Sequence, residues 1–579
     1  MCVGDRWGNQ RSTKGLAVEN RKDTDQPDCD EPAKDERVSE DGESSSRLSR
    51  RRLLAIAGVG VGAAVAATAP GVAAAREGPR GPDGRCGPQH RADHRRHRVP
   101  REEAGPDRFA RMFNPNQLSR SETIEMRAAL IELSRPGGIL DANDPLDVGP
   151  VRLITEPELS PGNLDNPRHT AGTTFFGQFL DHDLTRDGGS SLGRATSLRR
   201  SVNLRSARLD LDSVYGGGPR ESPDLYGDDR VHLLLESGGL HEDLPRDAEG
   251  AAIIADPRND ENLMISGLHA GFLRFHNAVV DRHVDATLSP VRKFAEAQRL
   301  VRWHYQWIVV HEFLPQIVGR GMVRRVLRRG RSYYTPRRAQ IPVEFQTAAY
   351  RFGHSMVRPS YRANLNGDAG EPFFALVFDP TQLGRSDPDD LTGGHRATRR
   401  FIDWQTFFDF EDGEVKPNKR IDTAISTPLF RIPTSTIDIG RGERVGPTSL
   451  ATRNLLRHLT WQIPTGQSVA AAMKQAPLTR ADLAPFGDFG AGLDRATPLW
   501  LYVLREAELA TDGMRLGPVG GRIVAEVFIG LLQMDPGSYL AAHPSWRPTL
   551  PPISGDRDFR TVDMLTLAGV DPASRAGAA

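Results

Sequence analysis

The sequence predicts a mainly α-helical protein in which one large folded domain follows a long N-terminal segment. Apolar residues recur at helical spacing in several stretches, most clearly in 263–280, 291–319 and 520–531. Strand-like alternation is confined to short pieces, and no internal repeat divides the 579 residues. We therefore expect an all-α domain with few short β-strands over residues 107–570, in which the helix of 291–319 stops at Leu314-Pro315.

Residues 1–75 are predicted to be a disordered leader that ends in a signal peptide. Residues 1–46 are polar and charged without periodicity. Arg50-Arg51-Arg52 then precedes an Ala/Gly/Val run that ends in three alanines at Ala75. A basic segment, a weakly apolar run and small residues at the end are typical of export signals, and the arginines resemble a twin-arginine signal. We expect an exported, secreted or extracellular protein, although a single membrane anchor stays open as an alternative.

Residues 76–106 are rich in Gly, Pro, Arg and His and are predicted to form a flexible basic linker.

The charge balance gives no reason to expect a nucleic-acid partner, since Lys+Arg 75 equals Asp+Glu 75. All three cysteines, Cys2, Cys29 and Cys86, precede the domain, so its core has no disulfide framework.

The stretch 174–185, Thr-Phe-Phe-Gly-Gln-Phe-Leu-Asp-His-Asp-Leu-Thr, combines polar side chains with aromatic packing residues. In a helix, Gln178, Asp181 and His182 share one face, at i, i+3 and i+4. Asp183 points about 100° further round, where it can contact a different partner. A solvated acidic face is the simpler interpretation of this motif when it is taken alone.

Three further stretches carry residues that could bind a metal or a cofactor. Each of them, taken alone, can also be explained by its role in the fold. The loop Ser206–Pro219 alternates oxygen-bearing residues and ends in glycines, which suits a cation such as Ca²⁺ with its roughly six to eight oxygen ligands, or an acidic turn. Asp256–Asn262 has the composition of a helix start. His354, in Tyr-Arg-Phe-Gly-His, and Asn454, in Thr-Arg-Asn-Leu-Leu-Arg, would usually be buried packing residues.

Together and in this order, these motifs resemble the animal-type haem peroxidases of the peroxidase–cyclooxygenase superfamily. The resemblance covers residues 174–535 and implies a single large haem-peroxidase domain, with haem b buried between a distal helix at 175–184 and a proximal helix at 350–360. It implies that His182 is the distal acid–base group, that Arg258 polarises peroxide, and that Gln178 bonds a distal water or halide.

The resemblance also assigns the residues that hold the cofactors. His354 matches the proximal iron ligand and Asn454 its hydrogen-bond partner, while Arg351 and Arg457 match propionate-binding arginines. Asp181 and Glu261 match carboxylates that can form esters with the haem. The implied Ca²⁺ ligands are listed here: Asp183, Ser206, Arg208 through its carbonyl, Asp210 and Asp212.

The implied function is a peroxidase that reduces hydrogen peroxide and, through a ferryl intermediate, oxidises halide, thiocyanate or small organic donors such as phenols. No stable membrane span is expected in the mature form, and the oligomeric state is left open. A fatty-acid dioxygenase on the same scaffold is one alternative. It would require a radical-forming tyrosine three residues before the proximal histidine, where this chain has Arg351 and only the adjacent Tyr350. A non-enzymatic secreted adhesion or matrix protein is the other alternative.

Overall fold

The computed structural model describes residues 108–236, 243–396, 398–437, 446–552 and 558–570. The expected leader at 1–75 and linker at 76–106 lie outside these residues. The described part is mainly helical with a few short strands, which confirms the predicted fold class. Within it, no helix combines the length and the apolar character that crossing a membrane requires.

The α-helices, in chain order, have the following bounds: α1 Arg120–Leu133, α2 Pro150–Thr155, α3 Gly172–Leu184, α4 Asp212–Tyr215, α5 Leu263–His283, α6 Pro290–Ile308, α7 Leu314–Val318, α8 Arg320–Arg329, α9 Val343–Thr347, α10 Leu450–Thr460, α11 Gly466–Ala472, α12 Ala484–Gly487, α13 Leu499–Thr511, α14 Pro518–Met534, α15 Tyr539–Ala542 and α16 Thr561–Leu567. The strands are β1 Asp165–Thr170, β2 Ser360–Arg362, β3 Phe374–Leu376 and β4 Pro417–Lys419. They form two antiparallel pairs, β1 with β4 and β2 with β3.

Helix α3 is held in the core by its aromatic side chains. Phe175 packs edge-on against the ring of Tyr361, with centroids 5.2 Å apart. Phe179 stacks parallel to Phe272 of α5 at 4.7 Å. Such pairs stabilise by roughly 0.5–1.5 kcal/mol beyond the burial of their area. They fix the rotation of α3, so that its polar face is turned toward the domain's cavity.

The helix predicted to stop at Leu314-Pro315 continues further than expected. A π-helical turn, Val309–Phe313, follows α6, and α7 then runs to Val318. Pro315 therefore lies in the first turn of a new helical segment, where a backbone N–H is dispensable. The proline marks a change of helical register rather than an end.

The segment that carries His354 is a 3₁₀ helix, Ala349–Met356, and not the regular helix that the sequence suggested. Two hydrogen bonds attach it to neighbouring helices. The Trp500 Nε1–H of α13 donates to the Arg351 carbonyl at 3.1 Å, and the Tyr350 hydroxyl donates to the Gly177 carbonyl of α3 at 2.9 Å. These contacts fix the proximal segment relative to α3.

Candidate active site

A cavity of about 770 Å³ lies between α3 and the 3₁₀ helix Ala349–Met356, and its volume is typical of a cofactor site. Eight of the predicted site residues line it: Gln178, Asp181, His182, Arg258, Glu261, Arg351, His354 and Arg457. Asn454 is not part of the wall but contacts His354 from behind. The structure therefore brings the separate motifs together around one space.

His182 is a buried, neutral base on one side of this cavity. Its Nδ1 lies 2.9 Å from the Asn259 Oδ1, and its Nε2 lies 3.7 Å from a Glu261 carboxyl oxygen. Burial, together with the nearby Arg258 guanidinium, lowers the pKa of His182 to about 4. The imidazole is thus uncharged at neutral pH and can accept a proton.

Arg258 is fixed beside His182 by Asp256, a residue that sequence reasoning treated only as part of a helix start. Asp256 accepts from the Arg258 Nη2 at 2.8 Å and from its Nε at 3.0 Å, and it also pairs with Arg205 Nε at 2.9 Å. Burial alone would raise the pKa of Asp256, but the two guanidiniums hold it below its usual range. Arg258 Nη2 also donates to the His182 carbonyl at 3.1 Å, so the two side chains keep a fixed relation.

Two carboxyl groups line the cavity near His182. Gln178 Nε2 donates to Glu261, and Gln178 in turn accepts from Asn262 Nδ2 at 3.4 Å. Burial raises the pKa of Glu261 to about 8, so its protonated form predominates at neutral pH. Asp181 accepts from the hydroxyl of Thr185 at 3.0 Å. Both positions suit the ester-forming roles that the sequence predicted, which stay predictions.

His354 faces the cavity from the opposite side. Its Nδ1 lies 2.7 Å from the Asn454 Nδ2, so in this orientation the amide donates to the ring nitrogen, and no hydrogen-bond partner for the Asn454 Oδ1 is found among the described residues. Burial, with the cations of Arg351 and Arg457, lowers the pKa of His354 well below its usual value. The ring is therefore neutral, as metal ligation requires. When Asn454 turns its oxygen toward Nδ1–H, the Nε2 lone pair is available to a metal.

Two arginines, Arg351 and Arg457, lie in the wall of the same cavity. No hydrogen-bond partner for Arg351 Nε or Arg457 Nη1 is found among the described residues. Burial, together with the repulsion from Arg351, lowers the pKa of Arg457 well below its usual value. Buried guanidinium nitrogens without hydrogen-bond partners are costly, so these two groups are suited to hold an anionic group of a ligand.

A second cluster lies behind α3, where one oxygen each from Asp183, Asp210 and Asp212 falls within 4.8 Å of the others. Burial and the two neighbouring carboxylates raise the pKa of Asp183 well above its usual value, which indicates a place for a cation. Leu211 between them adopts a left-handed conformation, φ 58°, and its N–H donates to Asp183 at 3.1 Å. The Tyr305 hydroxyl donates to the same carboxylate at 3.1 Å.

The two other predicted ligands, Ser206 and Arg208, differ in their distance from the three carboxylates. The Ser206 hydroxyl donates to Asp210 at 2.7 Å, and its N–H donates to Asp212 at 2.9 Å. The Arg208 side chain is half exposed and approaches Asp535 at 3.9 Å, so only its carbonyl is a candidate ligand. Ser206 therefore lies against the carboxylates, while the role of Arg208 stays a prediction.

Comparison with known proteins identifies the family. Residues 186–395 match the model of the animal haem peroxidase domain, a span that includes the loop of Asp210 together with Arg258 and His354. Over residues 186–395 the chain therefore carries an animal haem peroxidase domain. The distal helix α3 and Asn454 lie outside the matched span, so their assignment rests on the resemblance and on the geometry above.

The curated relatives are larger proteins. The chain is 29% identical over 219 residues to the probable oxidoreductase PXDNL of Homo sapiens, covering 33% of this chain and 15% of that protein. It is 29% identical over 183 residues to the eosinophil peroxidase of Mus musculus, covering 28% and 25%. The matches therefore span a quarter or less of these two relatives.

A solved structure shows the same fold. Peroxidase A from Dictyostelium discoideum superimposes with a TM-score of 0.52 at 17% identity, covering 75% of this chain and 88% of that one. This likeness extends the shared fold well beyond the 186–395 span.

The residues of the cavity fit the haem that the family implies. Haem is a flat apolar group with two propionates and an iron that needs an axial ligand. The cavity offers His354 as the ligand and Arg351 and Arg457 as partners for the propionates. His182 and Arg258 reach this cavity from α3 and from the turn Pro257–Asp260, whereas His354 reaches it from the 3₁₀ helix Ala349–Met356.

Proposed function

We propose that the domain is a haem-dependent peroxidase that reduces hydrogen peroxide at the expense of small electron donors. The observation that carries the proposal is the pairing, in one cavity, of a neutral His182 and a charged Arg258 with a neutral His354 beyond them. An acid–base group and an anion-stabilising group are what heterolysis of an O–O bond requires.

In this mechanism the protein supplies a base, a cation and a ligand for the cofactor. Haem would be held by His354, Arg351 and Arg457 and would supply the redox chemistry of peroxide reduction. His182 Nε2 takes the proton from one peroxide oxygen and returns it to the other as the O–O bond breaks. Arg258 stabilises the charge on the departing oxygen, and burial of the cavity strengthens that interaction. Asp256 keeps Arg258 charged and aimed.

For the donors, we propose halide, thiocyanate or small phenols. Arg258, Arg351 and Arg457 in the wall attract small anions, while the apolar lining admits aromatic donors. A twin-arginine-type signal before residue 76 would export the loaded protein, and we propose an extracellular location on that basis alone.

The cofactors carry two finer proposals. We propose that Glu261 and Asp181, which both line the cavity, form ester links with haem b. The cluster of Asp183, Asp210 and Asp212 would bind Ca²⁺ and, through the neighbouring position of Asp183, brace His182.

The test is to purify the protein from haem-fed cells and record the haemochrome spectrum before and after acidified-ketone extraction. A Soret band with peroxide-dependent oxidation of bromide or guaiacol is expected, and Asp181→Ala and Glu261→Ala should make more of the haem extractable. Absence of haem would contradict the proposal and favour a non-enzymatic role. Oxygen uptake with linoleate would favour the dioxygenase, although the Tyr350 hydroxyl is already bonded to the Gly177 carbonyl.

A further inference from the structure

Asn259 links His182 to a second buried histidine on the side away from the cavity. The His182 Nδ1 lies 2.9 Å from Asn259 Oδ1, and Asn259 Nδ2 lies 2.9 Å from the Nδ1 of His269. The three side chains are 4%, 0% and 1% exposed, in that order, so water does not compete for these bonds. Asn259 does not line the cavity, and its side chain contacts the cavity residue His182 from behind.

The hydrogen bonds determine where the proton of His182 lies. A carbonyl oxygen only accepts, so the His182 Nδ1 must donate to Asn259. A neutral imidazole carries one proton, which leaves Nε2 with a lone pair toward the cavity. On the other side, the Asn259 Nδ2 can only donate, so the His269 Nδ1 at 2.9 Å is the acceptor, and burial lowers the pKa of His269 to about 3, which keeps the ring neutral. His269 thereby keeps the oxygen of Asn259 turned toward His182.

The same short turn holds His182 at two points. Arg258 and Asn259 are consecutive residues of the 3₁₀ turn Pro257–Asp260, which Asp256 caps by accepting from the Arg258 N–H at 3.0 Å. Arg258 donates to the backbone carbonyl of His182, while Asn259 accepts from its ring. One turn therefore fixes both the place and the orientation of the imidazole.

Without such a partner, a neutral histidine side chain in water favours the proton on Nε2. In that tautomer the nitrogen that faces the cavity cannot take a proton from peroxide. We propose that Asn259, oriented by His269, is a positioning residue that holds His182 in the Nδ1–H tautomer and presents Nε2 as the base. The kinetic consequence of this inference rests on the proposed peroxidase function, whereas the tautomer itself does not.

The spectroscopic test uses full-length protein labelled with ¹⁵N-histidine and loaded with zinc protoporphyrin, which is diamagnetic. The His182 signals are assigned by their loss in His182→Gln. Wild type is expected to show a protonated Nδ1 and a bare Nε2. Asn259→Leu should move the proton to Nε2, whereas Asn259→Asp keeps an acceptor and should keep the wild-type tautomer. His269→Leu releases the amide and should give both tautomers, which provides a second variant if Asn259→Leu does not fold.

The kinetic test uses the iron-loaded variants. Asn259→Leu is expected to lower kcat/KM for hydrogen peroxide roughly 10- to 100-fold while the KM for the donor stays near the wild-type value. Asn259→Asp should recover most of the loss. If Asn259 had only a structural role, Asn259→Leu would impair both the reaction with peroxide and the use of the donor, in proportion to the loss of protein stability. Asn259→Asp would then not restore kcat/KM for peroxide.

Asn163→Leu is the control, since Asn163 is also buried outside the cavity wall, where it donates to the Leu153 carbonyl at 3.1 Å and accepts from the Arg358 Nη1 at 3.0 Å. It should cost stability and leave the His182 signals unchanged. A wild-type tautomer in both Asn259→Leu and His269→Leu would overturn the inference, as would peroxide kinetics of Asn259→Leu within about twofold of wild type. A wild-type protein that does not react with peroxide would overturn the proposed function, and the zinc spectra would still decide the tautomer.

Discussion

Asp256→Asn removes the negative charge that fixes Arg258 beside His182 while keeping the size of the side chain. Asp256 is fully buried and lies between the guanidiniums of Arg205 and Arg258. The amide retains Oδ1, which accepts from the Arg258 N–H, so the cap of the 3₁₀ turn survives. It replaces the second oxygen by an NH₂ group that faces two donors.

The expected loss of stability follows from this replacement. Removing one partner of a buried ion pair costs about 3–5 kcal/mol. The surviving cap and the 18% exposure of the Arg258 side chain reduce this, so we expect the free energy of unfolding to fall by about 2–4 kcal/mol. The pKa of Asp256 is depressed on folding, so its contribution is fully present above the unfolded value of about 3.9. It is lost only as the pH falls from there through the lower pKa of the folded state.

The measurement combines urea unfolding at several pH values with peroxide kinetics. The difference between wild type and Asp256→Asn should be constant from about pH 5 to 8 and should shrink below about pH 4. The kcat/KM for peroxide should fall by roughly one to two orders of magnitude, because Arg258 loses its anchor. Asp165→Asn is the control: Asp165 pairs with the buried Arg358 at 2.5 Å, away from the cavity, and its loss should leave peroxide kinetics unchanged.

Two results would refute this reasoning. Unchanged stability would mean that the Asp256 charge does not offset the burial of the two guanidiniums. Lower stability with unchanged peroxide kinetics would mean that the placement of Arg258 does not depend on Asp256. Equal loss of peroxide reactivity in Asp165→Asn would show that the assay reports general destabilisation.

Three further results are expected. Ca²⁺ at about 100 times its Kd should raise the free energy of unfolding by about 2.7 kcal/mol in wild type and much less in Asp210→Asn, by calorimetry with and without a chelator. In haem-free protein, Glu261 holds a proton between its unfolded pKa of about 4.3 and its folded pKa of about 8, so stability should fall with rising pH by up to about 1.4 kcal/mol per unit there. Glu261→Gln should remove that slope, and an unchanged slope would assign it to other groups. His354→Gln should abolish the Soret band, whereas Asn454→Leu should keep haem but shift its reduction potential, and full haem retention in His354→Gln would contradict ligation by this residue.

Much of the architecture could be predicted because it depends on local pattern. Helices α3 and α5 follow from apolar periodicity, and α5 begins where Asn262 caps it by accepting from the Ile265 N–H at 3.0 Å. The 3₁₀ helix that carries His354 and the π-helical turn before α7 were not predicted. Both are set by tertiary contacts, such as the bond of Trp500 to the Arg351 carbonyl, which leave no periodic signal in the sequence.

In the site, eight predicted residues line the cavity and the predicted Asn454 contacts His354 from behind, whereas Asn259 and Tyr305 were not predicted. Asn259 and Tyr305 act on His182 and Asp183, which lie 77 and 122 residues away in the chain, and spacing along the sequence carries no information on such pairs. Their residue types did not indicate a functional role either, since a buried Asn or Tyr is usually a packing residue with satisfied hydrogen bonds.

Asp256 shows why a correct local interpretation can conceal a functional one. An ionised carboxylate has two oxygens and about four acceptor sites, and a helix cap uses one of them. In Asp256 one oxygen caps the turn and also accepts from the Arg258 Nε, while the other pairs with Arg258 and Arg205. The capping interpretation is therefore true and incomplete. Serine or asparagine would serve the cap equally well but would remove the carboxylate that pairs with both guanidiniums, so these substitutions separate the two roles.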